Sequence, residues 1–127
     1  MARILIVDAD KDIRGLFSIE LSEQGHEVIT AGSCHKLGKR IEISRPDLLI
    51  LDVNLGECDG LDALQEIRRY HAGLPIIICS VYDCCRYDLT APAADYFVIK
   101  SYDLTELKTK INRAVEARES TLHGVAV

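Results

Sequence analysis

Four short apolar runs, at residues 4–7, 48–51, 76–79 and 96–99, constrain the fold of this chain more than any other feature. Each is too short for a helix and lacks the polar alternation of a strand with one wet face, so each reads as a strand buried on both sides. A fifth run, residues 26–31 between Gly25 and Gly32, is more polar and suits a sheet edge. The intervening segments have helical spacing. Ile13, Leu16, Phe17 and Leu21 share one face after Asp12, and Leu61, Leu64 and Ile67 do so after Asp59-Gly60. Leu37, Ile41 and Ile43 predict a helix over residues 34–44, which Gly38 weakens by about 1 kcal/mol relative to Ala. Asp103 is placed as an N-cap with Glu106 three residues on, followed by a stripe of Leu104, Leu107, Ile111, Ala114 and Val115. Residues 82–94, with Pro92 and the Cys84-Cys85 pair, predict only a short or irregular helix. Alternating strands and helices with short connections imply an α/β chain: an open parallel sheet covered on both faces.

At 127 residues the chain has the size of one domain. Residues 1–118 are expected to form it, with 119–127 as a C-terminal tail or the start of a linker. Fifteen Lys and Arg against twenty Asp and Glu leave a net charge of −5. That balance argues against direct nucleic-acid binding by this domain. No apolar run approaches the roughly 18 residues of a membrane span, and the N-terminal run is too short for a secretory signal. A cytoplasmic address is therefore expected, and with it reduced thiols. The five cysteines are odd in number, irregular in spacing and without a CxxC pair, so they suggest neither a disulfide framework nor a zinc site.

A polar residue follows each central run: Asp8, Asp52, Ser80 and Lys100. Any one of them has a dull explanation, since polar residues commonly end strands. In an open parallel sheet, however, the carboxyl ends line one edge, beside the crevice where such folds bind ligands. Acid, acid, hydroxyl and amine then converge. The set suits acyl-phosphate chemistry, in which a carboxylate attacks phosphorus while an ammonium, a hydroxyl and a divalent ion take the phosphoryl oxygens. Asp52 is the candidate nucleophile. Asp8, Asp52 and the backbone carbonyl near Asn54 are candidate oxygen ligands for Mg2+.

In this order and context the chain resembles the receiver domain of two-component response regulators over nearly its whole length. Residues 4–8 (ILIVD) resemble the family's first strand and acidic pocket, residues 47–52 (DLLILD) the strand ending in the phosphoacceptor, and Asp59-Gly60 follows at the usual distance. Residues 75–80 (PIIICS) resemble the strand ending in the switch hydroxyl, and residues 95–100 (DYFVIK) the last strand with its lysine; Phe97 matches the switch aromatic. The resemblance implies a flavodoxin-like three-layer sandwich, with a five-stranded parallel sheet of order 2-1-3-4-5 and five helices. It also implies a histidine kinase or phosphotransfer protein as donor to Asp52, and a signalling rather than enzymatic role, with self-catalysed phosphotransfer and dephosphorylation. Ser80 and Phe97 would then switch a surface of the fourth helix, fifth strand and fifth helix toward an output domain or a homodimer partner.

Several positions depart from the family pattern. Ala9 stands where a second acid usually binds the metal, so Mg2+ affinity is expected to be weakened; Asp10 is either a replacement ligand or an ordinary acidic residue of that loop. Ser101 follows the lysine in place of a common proline, Gly56-Glu57-Cys58 replaces a common Pro-Gly-Met, and the stretch from Ser80 to Lys100 is shorter than usual. A pseudo-receiver used for docking or dimerisation is the alternative that Ala9 raises. A flavin carrier on the same fold is disfavoured, because the acidic segment from Asp8 to Asp12 would repel a flavin phosphate. Cys84 and Cys85 lack a third ligand at metal-site spacing, the four histidines are dispersed, and Arg68-Arg69 and Lys108-Lys110 read as solvated helix faces.

Overall fold

Each of the five runs becomes a strand of one sheet. The computed structural model describes residues 1–55, 58–81 and 94–122. Along the chain come β1 (Arg3–Val7), α1 (Lys11–Glu23), β2 (Glu27–Ala31), α2 (Leu37–Ser44), β3 (Leu48–Leu51), β4 (Asn54–Leu55) and β5 (Cys58–Asp59). They are followed by α3 (Gly60–Tyr70), β6 (Ile76–Ser80), β7 (Tyr96–Ile99) and α4 (Thr105–Leu122). The sheet order is β2-β1-β3-β6-β7, parallel throughout. With the small β4–β5 hairpin set aside, this is the expected order 2-1-3-4-5. Four helices are described; the irregular one expected over 82–94 falls at residues 82–93, outside the described residues.

The apolar runs need burial on both sides, and the helices provide it. Ile4, Ile6, Ile50, Ile77 and Val98 pack with Ile13 and Phe17 of α1 and Leu107 and Ile111 of α4. Their sequence neighbours Leu5, Val7, Leu49, Leu51 and Ile78 face the other way, onto Leu37 and Ile41 of α2 and Leu64 and Ile67 of α3. The period of two along each strand thus fills two separate cores. Among the described residues, no helix is long and apolar enough to cross a membrane.

Several expectations are corrected locally. The second helix starts at Leu37 rather than at 34, because Lys36 takes a left-handed backbone (φ 52°) at its N-cap. Ile43 is 74% exposed, so only Leu37 and Ile41 form its apolar face. Residues 54–55, to which the sequence assigns no strand, pair antiparallel with Cys58–Asp59. The last helix runs on through Glu119 to Leu122, since no proline or glycine interrupts the backbone ladder before Gly124. Its later turns are anchored by Arg118, whose Nη1 donates to the Asp47 carbonyl at 3.0 Å.

Two basic residues read as solvated are engaged instead. Arg68 Nη1 donates to the Ala72 and Leu74 carbonyls at 2.9 and 2.8 Å, and Nη2 pairs with Asp95 at 3.0 Å. Lys108 pairs with Glu20 at 2.9 Å, tying α4 to α1. The reduced-thiol expectation holds for Cys79, a free buried thiol, but not for Cys34, which is disulfide-bonded. Spacing in sequence carries no information on which cysteines the fold brings together.

Phe17 is 1% exposed in the core between the sheet and α1. Replacing it with Ala is expected to destabilise the fold by about 3–5 kcal/mol. Urea unfolding should show this as a lower midpoint at unchanged slope.

Candidate functional site

Strand register brings the four polar residues to one edge. Val7 is level with Leu51, Leu51 with Ile78, and Ser80 with Ile99. The ladder continues past the strands: the amides of Asp8, Asp52 and Lys100 donate to the carbonyls of Ala31, Val7 and Ser80 at 3.1, 2.9 and 2.7 Å. Their side chains therefore start from fixed backbone positions.

Lys100 Nζ lies 2.7 Å from Asp8 Oδ2 and 2.9 Å from Asp52 Oδ2. The other oxygen of each carboxylate accepts a backbone amide two residues ahead, Asp8 Oδ1 from Asp10 at 2.9 Å and Asp52 Oδ1 from Asn54 at 3.1 Å. Such local turns are a habit of aspartate. Both carboxylates are thus oriented at both oxygens, and both residues are buried, at 3% and 7% exposure. Burial works to lower the Lys100 pKa, but the hydrogen bonds and charges of Asp52 and Asp8 outweigh it and hold the pKa above its ordinary value. Among the described residues two carboxylates share one ammonium, which leaves the pocket one positive charge short. A hard divalent cation fits that donor set, because Mg2+ takes one or two carboxylates and keeps several waters.

The remaining predicted residues take distinct places. Ser80, expected just after its strand, closes β6 and is fully buried. Phe97 is half-buried and packs on the α2 and α3 side of the core. Asp10 is exposed, and its Oδ1 caps α1 by accepting from Asp12 and Ile13 at 2.9 and 3.4 Å. Among the described residues no three His, Cys, Asp or Glu side chains converge as a metal cluster. Cys79, next to Ser80, has its thiol pKa pushed up to about 12, chiefly by burial; it is packed as an apolar residue.

The supporting roles of two residues escaped sequence reasoning. Arg14 Nη1 donates to the Asp8 carbonyl at 2.6 Å, fastening the β1–α1 loop. Gly60 is needed for close approach. A Cβ there would stand 2.5 Å from Val53 Cα and 2.7 Å from the Asp52 carbonyl oxygen, so a side chain would displace the backbone that holds Asp52.

Comparison with known proteins agrees with this geometry. A family model described as response regulator receiver domain matches residues 4–112. The regulatory protein AtoC of Escherichia coli is 32% identical over 117 residues, covering 90% of this chain and 25% of AtoC. The crystal structure of the response regulator TrrA from Thermotoga maritima in complex with Mg2+ and BeF is 38% identical, with a TM-score of 0.86 over 90% of this chain and 99% of TrrA. TrrA in complex with the histidine kinase ThkA superposes with a TM-score of 0.84 at 36% identity, over 91% of this chain and 99% of TrrA. The chain spans about a quarter to a half of the length of the curated relatives it matches.

Replacing Lys100 with Met would leave two buried carboxylates uncompensated, and is expected to cost about 3–5 kcal/mol near neutral pH. Because folding raises the Lys100 pKa, its contribution is complete below the ordinary lysine value of 10.5 and is lost as pH rises through the higher folded value. The stability gap between native chain and variant, from denaturant unfolding, should be level from pH 7 to 9 and close at higher pH.

Proposed function

The chain belongs to the response regulator receiver family, and from that membership we propose that Asp52 accepts a phosphoryl group from a histidine kinase or phosphotransfer protein. The single observation that carries this reading is the Lys100 ammonium held between the Asp8 and Asp52 carboxylates at the carboxyl edge of the sheet. An Asp52 carboxylate oxygen attacks phosphorus as the phosphohistidine P–N bond breaks, and the imidazole nitrogen takes the bond's electron pair and a proton. Lys100, still held by Asp8, donates to a phosphoryl oxygen, and the Ser80 hydroxyl turns to donate to another. Phe97 enters the space this opens, and the changed face around β7 and α4 is the output.

Asp8, Asp52 and the Asn54 carbonyl are the groups to hold Mg2+, which when bound neutralises charge on the phosphoryl oxygens. The complex of TrrA with Mg2+ and BeF supports that role by similarity. Ala9 adds no oxygen and Asp10 is occupied as a helix cap, so the affinity is lower than in a receiver with an acidic pair. The same two features favour the second reading, a docking or dimerisation domain without phosphotransfer.

Intact mass after incubation with a small phosphodonor and Mg2+ separates the two. The native chain should gain a phosphoryl group and Asp52→Asn should not. Labelling of the variant at the native level would place the acceptor elsewhere, and an unlabelled native chain would favour the docking domain. Calorimetric titration should show Ala9→Asp binding Mg2+ about tenfold tighter. One charge at about 4 Å is worth roughly 4 kcal/mol at an effective dielectric of 20, and a third of that suffices. Equal affinities would mean that another group already supplies the missing oxygen.

A further inference from the structure

Between α2 and α3 runs a groove of about 780 Å³, with buried Leu37 and Ile67 in its floor. Its walls carry opposite charge. Lys36 and Lys39 stand at the start of α2, and Asp62 and Glu66 stand one turn apart in α3. Both helices pack on one face of the sheet and connect parallel strands, so they run in the same direction and these four charges lie toward the carboxyl edge. Toward the amino edge the acid is on the α2 wall, at Glu42, and His71 lines the α3 wall. Lys36, Lys39, Glu42, Asp62 and Glu66 are all exposed, and among the described residues none of them makes an ion pair. Two large apolar side chains flank the groove. Tyr70 lines the α3 wall at 70% exposure, and Ile43, one turn from Lys39 on the outside of α2, is left out of the core.

We propose that this groove is the contact face of a homodimer, in which a two-fold axis along the groove lays α2 of one copy against α3 of the other. A surface with one basic and one acidic wall is complemented by the same surface turned about its own length. The turn exchanges the walls: Lys36 and Lys39 meet Asp62 and Glu66 of the second copy, Glu42 meets His71 of the second copy, and each contact recurs in reverse. Exposed ion pairs contribute little apiece, and they serve here to set partner and register. Tyr70 and Ile43 supply the apolar area, since aromatic anchors carry much of an interface's energy. Two helices of 8 and 11 residues present a small face, so the association is reversible, with a dissociation constant of roughly 10–100 µM. The face lies on the side of the sheet away from α1 and α4. It therefore rests neither on phosphorylation of Asp52 nor on an output at β7 and α4.

Sedimentation equilibrium of the full chain without phosphodonor, from about 5 to about 500 µM at low salt, tests this. The native chain should pass from monomer to dimer across that range. Lys39→Glu should raise the dissociation constant roughly tenfold, because a two-fold interface turns one substitution into two repulsive contacts. Lys39→Glu combined with Glu66→Lys should restore the native constant, which a variant that had merely lost its fold could not do. A native chain that stays monomeric throughout would overturn the proposal and leave the groove to a different protein. A dimer that Lys39→Glu leaves unchanged, or that the charge exchange fails to restore, would place the contact on another face. Restoration by Glu42→Lys in place of Glu66→Lys would set α2 against α2 and overturn the stated axis.

Discussion

One lysine holds the chemistry of this molecule together. Lys100 donates to Asp8 at the end of β1 and to Asp52 at the end of β3, from the far side of β6 at the end of β7. Without it the fold would bury two like charges a short distance apart, which is costly in a medium of low dielectric. With it, the strand ends are cross-linked electrostatically and the carboxylates are set in fixed orientations. Among the described residues the arrangement remains one positive charge short.

The sheet stabilises this arrangement by making it nearly rigid. Both faces of β1, β3 and β6 are filled, and ladder hydrogen bonds extend one residue past the strands to the amides of Asp8, Asp52 and Lys100. The half-buried position of Phe97 and its place on the edge strand give the opposite property. An edge strand has one neighbour and fewer contacts to break, so a population shift is easiest there.

Much of this was legible in the sequence because it depends on local pattern. Apolar runs with no polar alternation can only be strands buried on both sides, and a polar residue at the end of each must then meet the others at one edge. The helix stripes of α1 and α4 followed equally from their period. What was hidden depends on tertiary contact. The delayed start of α2 hangs on one left-handed residue, Lys36; the hairpin after Asp52 depends on pairing over four positions; the engagement of Asp10 as the cap of α1 is a contact no spacing reveals. Gly60 was visible as a residue following Asp59, yet its reason, the space against Val53 and the Asp52 carbonyl, exists only in three dimensions. The disulfide at Cys34 was illegible for the same reason.

The central claim is that Lys100 and Asp52 act as one coupled unit in the buried pocket. A double-mutant cycle of Lys100→Met and Asp52→Asn, read as free energies of unfolding in denaturant at neutral pH, tests it most directly. The account predicts strong non-additivity: the double variant should lose less stability than the two single changes summed, by about 1 kcal/mol or more. Additivity within about 0.3 kcal/mol would contradict it, since the two side chains would then contribute independently and the ion pair would not organise the site.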